Sequence, residues 1–176
     1  MKLLKYLYEK KTGKNAPYYY NYSLLTILGK PLRKWVTNTI APGCPYNNIR
    51  ILLYRLCGFK IGKHVFIGMH CYLDDMCYDL ITIGSNVTIS YGVYFACHGK
   101  NQGHYPIRIG DGAYIGMRAS IISKNADNDL PEEGITISKG AVVGACALVN
   151  RNVPENATAV GIPCRIIEKA SKKDEQ

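Results

Sequence analysis

A chain of 176 residues, 47% hydrophobic, has room for one packed domain with an appendage. Its net charge of +9 is lopsided: residues 1–60 carry eleven Lys/Arg against one acid, Glu9, whereas residues 61–176 carry eleven against twelve acids. Seven cysteines, an odd number without a Cys-x-x-Cys pair, speak against a disulfide framework and a zinc ribbon, and no apolar run approaches the roughly 18 residues that a spanning helix needs.

The N-terminal apolar run is broken by Lys5 and lacks a small-residue cleavage site, so it does not read as a signal peptide. Residues 2–11 suit a short basic helix, and Lys14 to Tyr22 a polar, aromatic linker. The segment from Ser23 to Val36 has Gly29-Lys30-Pro31 at its middle. It is expected to form two short helices, with Pro31 starting the second. Ala41 to Cys44 and Pro45 form a turn. Asn48 is the expected N-cap of a helix carrying Ile49, Leu52, Leu53 and Leu56, which Gly58 ends. The basic third also holds Trp35 and eight tyrosines. Basic residues with interfacial aromatics suit an anionic membrane surface; the alternative is a solvated basic face. No nucleic-acid motif accompanies them, so nucleic acid is not an expected partner.

From Ile61 the period changes to six. Apolar residues recur at Ile61, Ile67 and Leu73, then at Ile83, Ile89 and Phe95, then at Ile109, Ile115 and Ile121, then at Ile137, Val143 and Val149. Small or branched residues such as Val65, Val87, Ala113 and Ala141 fall four places after most of them. Hexapeptide periods specify a parallel β-helix in which three hexads close one triangular coil. Coil starts at 61, 83, 109 and 137 leave insertions of 4, 8 and 10 residues beyond three hexads, at about 79–82, 101–108 and 127–136. If each follows the third hexad, all leave along one edge, and insertions gathered on one face usually build a binding face. His98, in Phe95-Ala96-Cys97-His98-Gly99-Lys100, sits at the lip of the second. Val153 closes the last coil, residues 159–167 continue as an extended segment, and the tail from Ser171 to Gln176 is polar and frayed.

The hexads, His98, the run from Pro106 to Gly116 and Val160-Gly161-Ile162-Pro163-Cys164-Arg165 together resemble the hexapeptide-repeat acyltransferases. The likeness is closer to the branch that O-acetylates sugars, such as maltose, galactoside, nodulation-factor and capsule acetyltransferases. The resemblance implies a mainly β fold, a left-handed parallel β-helix over residues 58–168; the residue pattern itself adds an N-terminal helical segment over 1–57 and a polar tail over 169–176. The resemblance also implies a homotrimer with active sites between neighbouring subunits. Cysteine usage suits the cytoplasm, and the basic aromatic N-terminal third suits its membrane face.

What the resemblance implies for chemistry is direct acetyl transfer from acetyl-CoA to a saccharide hydroxyl in surface glycan biosynthesis. Such a transfer needs a base, oxyanion donors and alignment. His98 matches the family's catalytic histidine, and neutral imidazole accepts a proton near pH 7. Asp74 and Asp75 fall where relatives carry acids near the acceptor, either binding sugar hydroxyls or orienting His98. His104 is a further acceptor contact or an alternative base. Met117 and Ala145 match backbone contacts to the pantetheine arm, and Asn150, Arg151 and Arg165 match the nucleotide end, where arginine pairs with phosphate. Glu168 replaces a basic residue of some relatives, and Lys169 stands beside it. Gly68-Met69-His70-Cys71 departs from the asparagine-bearing motif of the galactoside and maltose enzymes. Cys97 as a nucleophile, and zinc on His64, His70, His98 and His104, are weaker alternatives, and no metal is expected. Two other functions stay open: N-acetylation of an amino sugar or sugar nucleotide, and a non-catalytic scaffold.

Overall fold

A computed structural model of the chain describes residues 2–15, 24–98, 104–123 and 134–167. Two helices open it, α1 (Lys2–Thr12) and α2 (Leu24–Trp35). Pro31 lies inside α2 and does not start a second helix. A proline there forfeits one backbone bond, four residues back, and the helix runs through it. The helix continues through a π-helical turn, Val36–Ile40, into the short α3 (Ala41–Gly43), and the chain turns extended at Cys44.

Helix α4 (Asn47–Leu56) begins one residue before the expected cap, with Tyr46 as the flanking residue. Asn47 is used elsewhere: its Nδ2 donates to the Val65 carbonyl at 3.0 Å, and its Oδ1 accepts from the Ile67 amide at 3.0 Å. Those bonds tie the helix to the first coil. Gly58 ends the helix with φ +99°, and a Cβ there would meet the Tyr78 ring at 2.7 Å. Arg50 is wholly buried beneath α4, with Nε donating to the Ile67 carbonyl at 2.7 Å and Nη1 to the Cys44 carbonyl. Tyr54 is buried edge-on against Phe59 at 5.6 Å. Tyr54 and Phe59, with Ala41 and Ile51, join the same hydrophobic core as the strands, so the helical segment closes the open end of the stack.

The strands are short and climb in coils, one strand per sheet. The first sheet holds β1 (Lys60–Ile61), β4 (Ile81–Ile83), β7 (Ile107–Ile109) and β10 (Ile135–Ile137). The second holds β2 (Phe66–Ile67), β5 (Thr88–Ile89), β8 (Tyr114–Ile115), β11 (Val142–Val143), β13 (Thr158–Val160) and β14 (Arg165–Ile167). The third holds β3 (Tyr72–Leu73), β6 (Tyr94–Ala96), β9 (Ser120–Ile122) and β12 (Leu148–Val149).

Register follows the hexads. Ile61 pairs with Ile83, Ile83 with Ile109 and Ile109 with Ile137, in parallel. The matching ladders Ile67–Ile89–Ile115–Val143 and Leu73–Phe95–Ile121–Val149 fill the other two faces. All but Ile61, which packs against the core partly buried, are 0–3% exposed. Burying each such side chain is worth roughly 1.5–3 kcal/mol. The small residues between them, Val65, Val87, Ala113 and Ala141 among them, are buried as well. His64 and His70 occupy corners with φ of 54° and 57°, as do Asn86, Arg118 and Cys146 higher up. Their place is thus explained by the turn, and the His70 ring packs edge-on to Tyr91.

Every connection with extra length runs from the third sheet to the first: β3 to β4, β6 to β7 and β9 to β10. All three therefore share one edge. Each ends two residues earlier than the spacing sets it, because the first strand of a coil starts two residues before the repeated isoleucine. The first insertion lies in two 3₁₀ turns over Asp75–Leu80, kinked at Cys77 and capped by the Asp74 side chain.

The C-terminal end departs from expectation twice. Val153 bridges Ile137 in parallel, so it opens a partial fifth coil and does not close the fourth. The extended segment is instead a hairpin, with β14 folded back antiparallel on β13. That pairing covers what would otherwise be the open edge of the second sheet. The expected tail, with Glu168 and Lys169, lies outside the described residues, as does most of the expected linker.

Candidate active site

β6 delivers His98 to the shared edge. Two backbone links pinch the base of its loop: His98 bridges His104 in antiparallel fashion, and the Tyr105 amide donates to the Cys97 carbonyl at 2.7 Å. One coil below, Leu73 pairs with Phe95, so Asp74 emerges beside the strand that carries the histidine. The His98 Nδ1 and an Asp74 carboxylate oxygen are 2.6 Å apart. That oxygen also accepts from the Cys97 amide at 3.0 Å, while the other accepts from the Met76 amide at 3.2 Å.

Asp74 is 0% exposed, and both its oxygens are occupied by protein donors. Its carboxylate thus meets the imidazole on one oxygen and loop backbone on both. A carboxylate accepts only, so the bond to it places the histidine proton on Nδ1. In the neutral ring Nε2 then keeps the lone pair, on a side chain 43% exposed. The Tyr72 hydroxyl pKa is pushed up by burial and then by the neighbouring charges of Asp74 and Asp75.

Cys97 is buried, and its thiol pKa is raised far out of the physiological range, first by burial and then by Asp74. A thiol held neutral there is a poor nucleophile. Asp75 is almost wholly buried, accepting from Asn38 Nδ2 at 3.1 Å. His104 is exposed at the loop base, linked to His98 through backbone.

The other expected residues lie elsewhere on the prism. Met117 and Ala145 are both exposed at the edge between the second and third sheets, Ala145 one coil above Met117. His98 stands at the edge between the third and first sheets. Within one chain they are therefore on different edges. Asn150 and Arg151 follow β12 on the His98 edge, higher up, and Arg151 lines a cavity of about 770 Å³ with Arg165 and the turn between β13 and β14. Asn150 Oδ1 is buried with no partner among the described residues.

The hexads are matched by the family model described as a hexapeptide repeat of succinyl-transferase, over residues 59–95 and 106–151. The chain belongs to the hexapeptide-repeat acetyltransferase family. This hexapeptide-repeat chain is 36% identical to a serine acetyltransferase of Bacillus licheniformis over 118 residues, 66% of this chain and 48% of that one. To the galactoside O-acetyltransferase of Escherichia coli it is 29% identical over 133 residues, 66% and 59% of the two chains. It thus spans about half the length of the curated relatives it matches. In fold it is similar to a hexapeptide-repeat acetyltransferase of Vibrio cholerae solved with acetyl-CoA, with TM-score 0.65, 22% identity, and 85% and 92% of the two chains covered.

Sequence reasoning found both members of the histidine–aspartate pair, though it left the role of Asp74 open. It missed Asn38, which engages Asp75 from the π-helical turn, and the Cys97 amide, which shares the Asp74 oxygen. Neither has a local signal, since one is a backbone group and the other comes from 37 residues away.

Proposed function

We propose that the chain is an acetyl-CoA-dependent O-acetyltransferase acting on a saccharide hydroxyl in surface glycan biosynthesis, with His98 as general base. The observation that carries this reading is the His98–Asp74 pair, which leaves Nε2 basic at the solvent edge. Nε2 takes the acceptor's hydroxyl proton as the oxygen attacks the thioester carbonyl. The tetrahedral intermediate collapses with cleavage of the C–S bond, and Nε2–H returns the proton to the departing CoA thiolate. The products are an acetyl ester, free CoA thiol and the original imidazole.

Acetyl-CoA enters as a substrate. Met117 and Ala145 would line its pantetheine arm, and Asn150, Arg151 and Arg165 its nucleotide end. The V. cholerae neighbour was solved with acetyl-CoA, and one relative is a galactoside O-acetyltransferase. In this reading residues 58–168 are the acyltransferase domain and coil with a left hand. Three copies assemble so that the Met117–Ala145 edge of one faces the His98 edge of the next. The separation of those edges within one chain supports the trimer. Asp75 and His104 sit on the acceptor side.

A second acceptor class, a free hydroxy amino acid, is favoured by the match to a relative named for serine. An acceptor screen with acetyl-CoA, read by free-thiol release, tests both. Sugars or serine releasing thiol in proportion to ester formed support the reading, and amide products from amino sugars would replace it with N-acetylation. No thiol release and no coenzyme A binding would leave a scaffold.

The reading places the protein in the cytoplasm, with residues 1–57 against an anionic membrane. It is supported by the basic charge of that segment and by the exposure of Trp35 on α2 and of Ile49, Leu52 and Leu56 on α4. No helix among the described residues is long and apolar enough to cross a membrane. Flotation with liposomes that shows no dependence on anionic lipid would remove the membrane contact.

A further inference from the structure

The last turns of α2 stand beside the segment that carries Asp74. They bring Lys30, Arg33 and Lys34 around a cavity of about 420 Å³, whose remaining walls are Pro31, Asp75 and Met76. Three cationic side chains thus face one carboxylate, and an oxygen of that carboxylate is already bonded to Asn38. The Arg33 guanidinium lies 3.8 Å from the centre of the Tyr78 ring. Stacking of this kind fixes the guanidinium plane while leaving its N–H edges for a ligand. Its buried Nε has no hydrogen-bond partner among the described residues.

The cavity and the catalytic pair are built on consecutive residues. Asp74 turns one way and holds His98; Asp75 and Met76 line the cavity. Consecutive Cα atoms are about 3.8 Å apart. A ligand anchored against α2 therefore sits next to the residue that orients the base.

We propose that this cavity is an acceptor subsite that takes a phosphate group carried by the molecule to be acetylated. The inference rests on the acetyltransferase reading and adds the acceptor's chemical class. Excess positive charge and a stacked guanidinium match the charge and multiple oxygens of a phosphate better than a neutral sugar. The same chemistry serves a soluble sugar phosphate, a nucleotide sugar or a lipid-borne phosphate.

The test uses the full chain saturated with coenzyme A, so that the basic residues assigned to the donor nucleotide are already covered. Glucose 1-phosphate, UDP-glucose and vesicles containing phosphatidic acid are the phosphate probes, and glucose and glucuronate the controls. At least one phosphate probe is expected to bind tenfold or more tighter than either control. That affinity is expected to fall tenfold or more in Lys34→Gln and in Arg33→Gln, and to recover partly in Arg33→Lys, with coenzyme A affinity unchanged. Which probe binds distinguishes the three sources. Lys34 is exposed, so its variant keeps the test valid if loss of Arg33 from the Tyr78 ring impairs folding. Equal binding of glucose or glucuronate, or phosphate affinity unchanged in Lys34→Gln, overturns the proposal. Failure of coenzyme A to bind would instead overturn the acetyltransferase reading, which this titration reports separately.

Discussion

His98 Nδ1 and Asp74 Oδ2 lie 2.6 Å apart although 24 residues separate them in the chain. One coil of the prism brings them together, and the buried carboxylate fixes the tautomer of the exposed ring. On the proposed function Asp74 is a positioning residue. Asp74→Asn removes the charge and keeps the shape, and the amide presents either a donor or a weaker acceptor to Nδ1. We expect kcat for acetyl transfer to fall by about 10²–10⁴-fold. The KM for acetyl-CoA and the far-UV spectrum should stay near wild type. Equal loss in kcat and in folded fraction would mark Asp74 as structural only.

Cys97 lies next to the base yet is shielded. Its buried thiol stays protonated, so Cys97→Ala should retain activity within a few-fold. Thiol reagents at pH 7.5 should modify the exposed Cys146 well before Cys97. Rapid labelling of Cys97 with parallel loss of activity would contradict this.

Alkaline pH should weaken the fold. Cys77 is raised from its ordinary 9.0 to about 11, chiefly by burial and then by Asp74, Asp79 and Asp75. A raised folded-state pKa means that the contribution is complete below the unfolded value near 9. It is lost as pH climbs from there through about 11. Thermal melts between pH 8 and 11 should show a falling Tm over that window, with less fall in Cys77→Ala. An unchanged slope in that variant would exclude Cys77 as the source.

Gly116 lies directly beneath the next coil, and a Cβ on it would approach the Ala145 amide nitrogen to 2.5 Å. Backbone cannot yield there as a flexible side chain would. Gly116→Ala should cost about 1–3 kcal/mol, a Tm drop of roughly 2–12 °C at this size. Gly112→Ala at the neighbouring corner has open space and meets only its positive φ of 68°. It should lose less stability, and the reverse order would refute this account of the stacking.

Most of the prism was legible in the sequence. The beat of six is the register itself: Ile83, Ile109 and Ile137 stack because each coil returns to the same face. The shared edge of the insertions followed from arithmetic, and so did the position of His98 beside it. Elements set by long-range packing were harder to read. Asn48 looks like a cap, yet the helix already starts at Asn47, whose side chain bonds to the first coil, and Pro31 looks like a helix start yet is spanned. The cation cluster of α2 was visible only as composition. Its convergence on the Asp75–Met76 segment is a long-range contact, tied down by the bond from Asn38 to Asp75.

The assignment of the donor corner to a neighbouring copy has its own signature. His98→Ala and Ala145→Trp homomers should each be inactive. Refolded together at equal amounts, they should regain activity from about a quarter of the sites, those pairing an intact His98 edge with an intact Ala145 corner. No regain would place the whole site within one subunit.

The central claim is that Nε2 of His98 takes the acceptor proton. The measurement that tests it most directly is steady-state acetyl transfer by His98→Ala, using the acceptor that gives wild type its highest thiol release, alongside a coenzyme A titration. The account predicts a kcat lower by about 10²–10⁴-fold, with coenzyme A affinity unchanged. Turnover equal to wild type in a folded, coenzyme A-binding variant would contradict it.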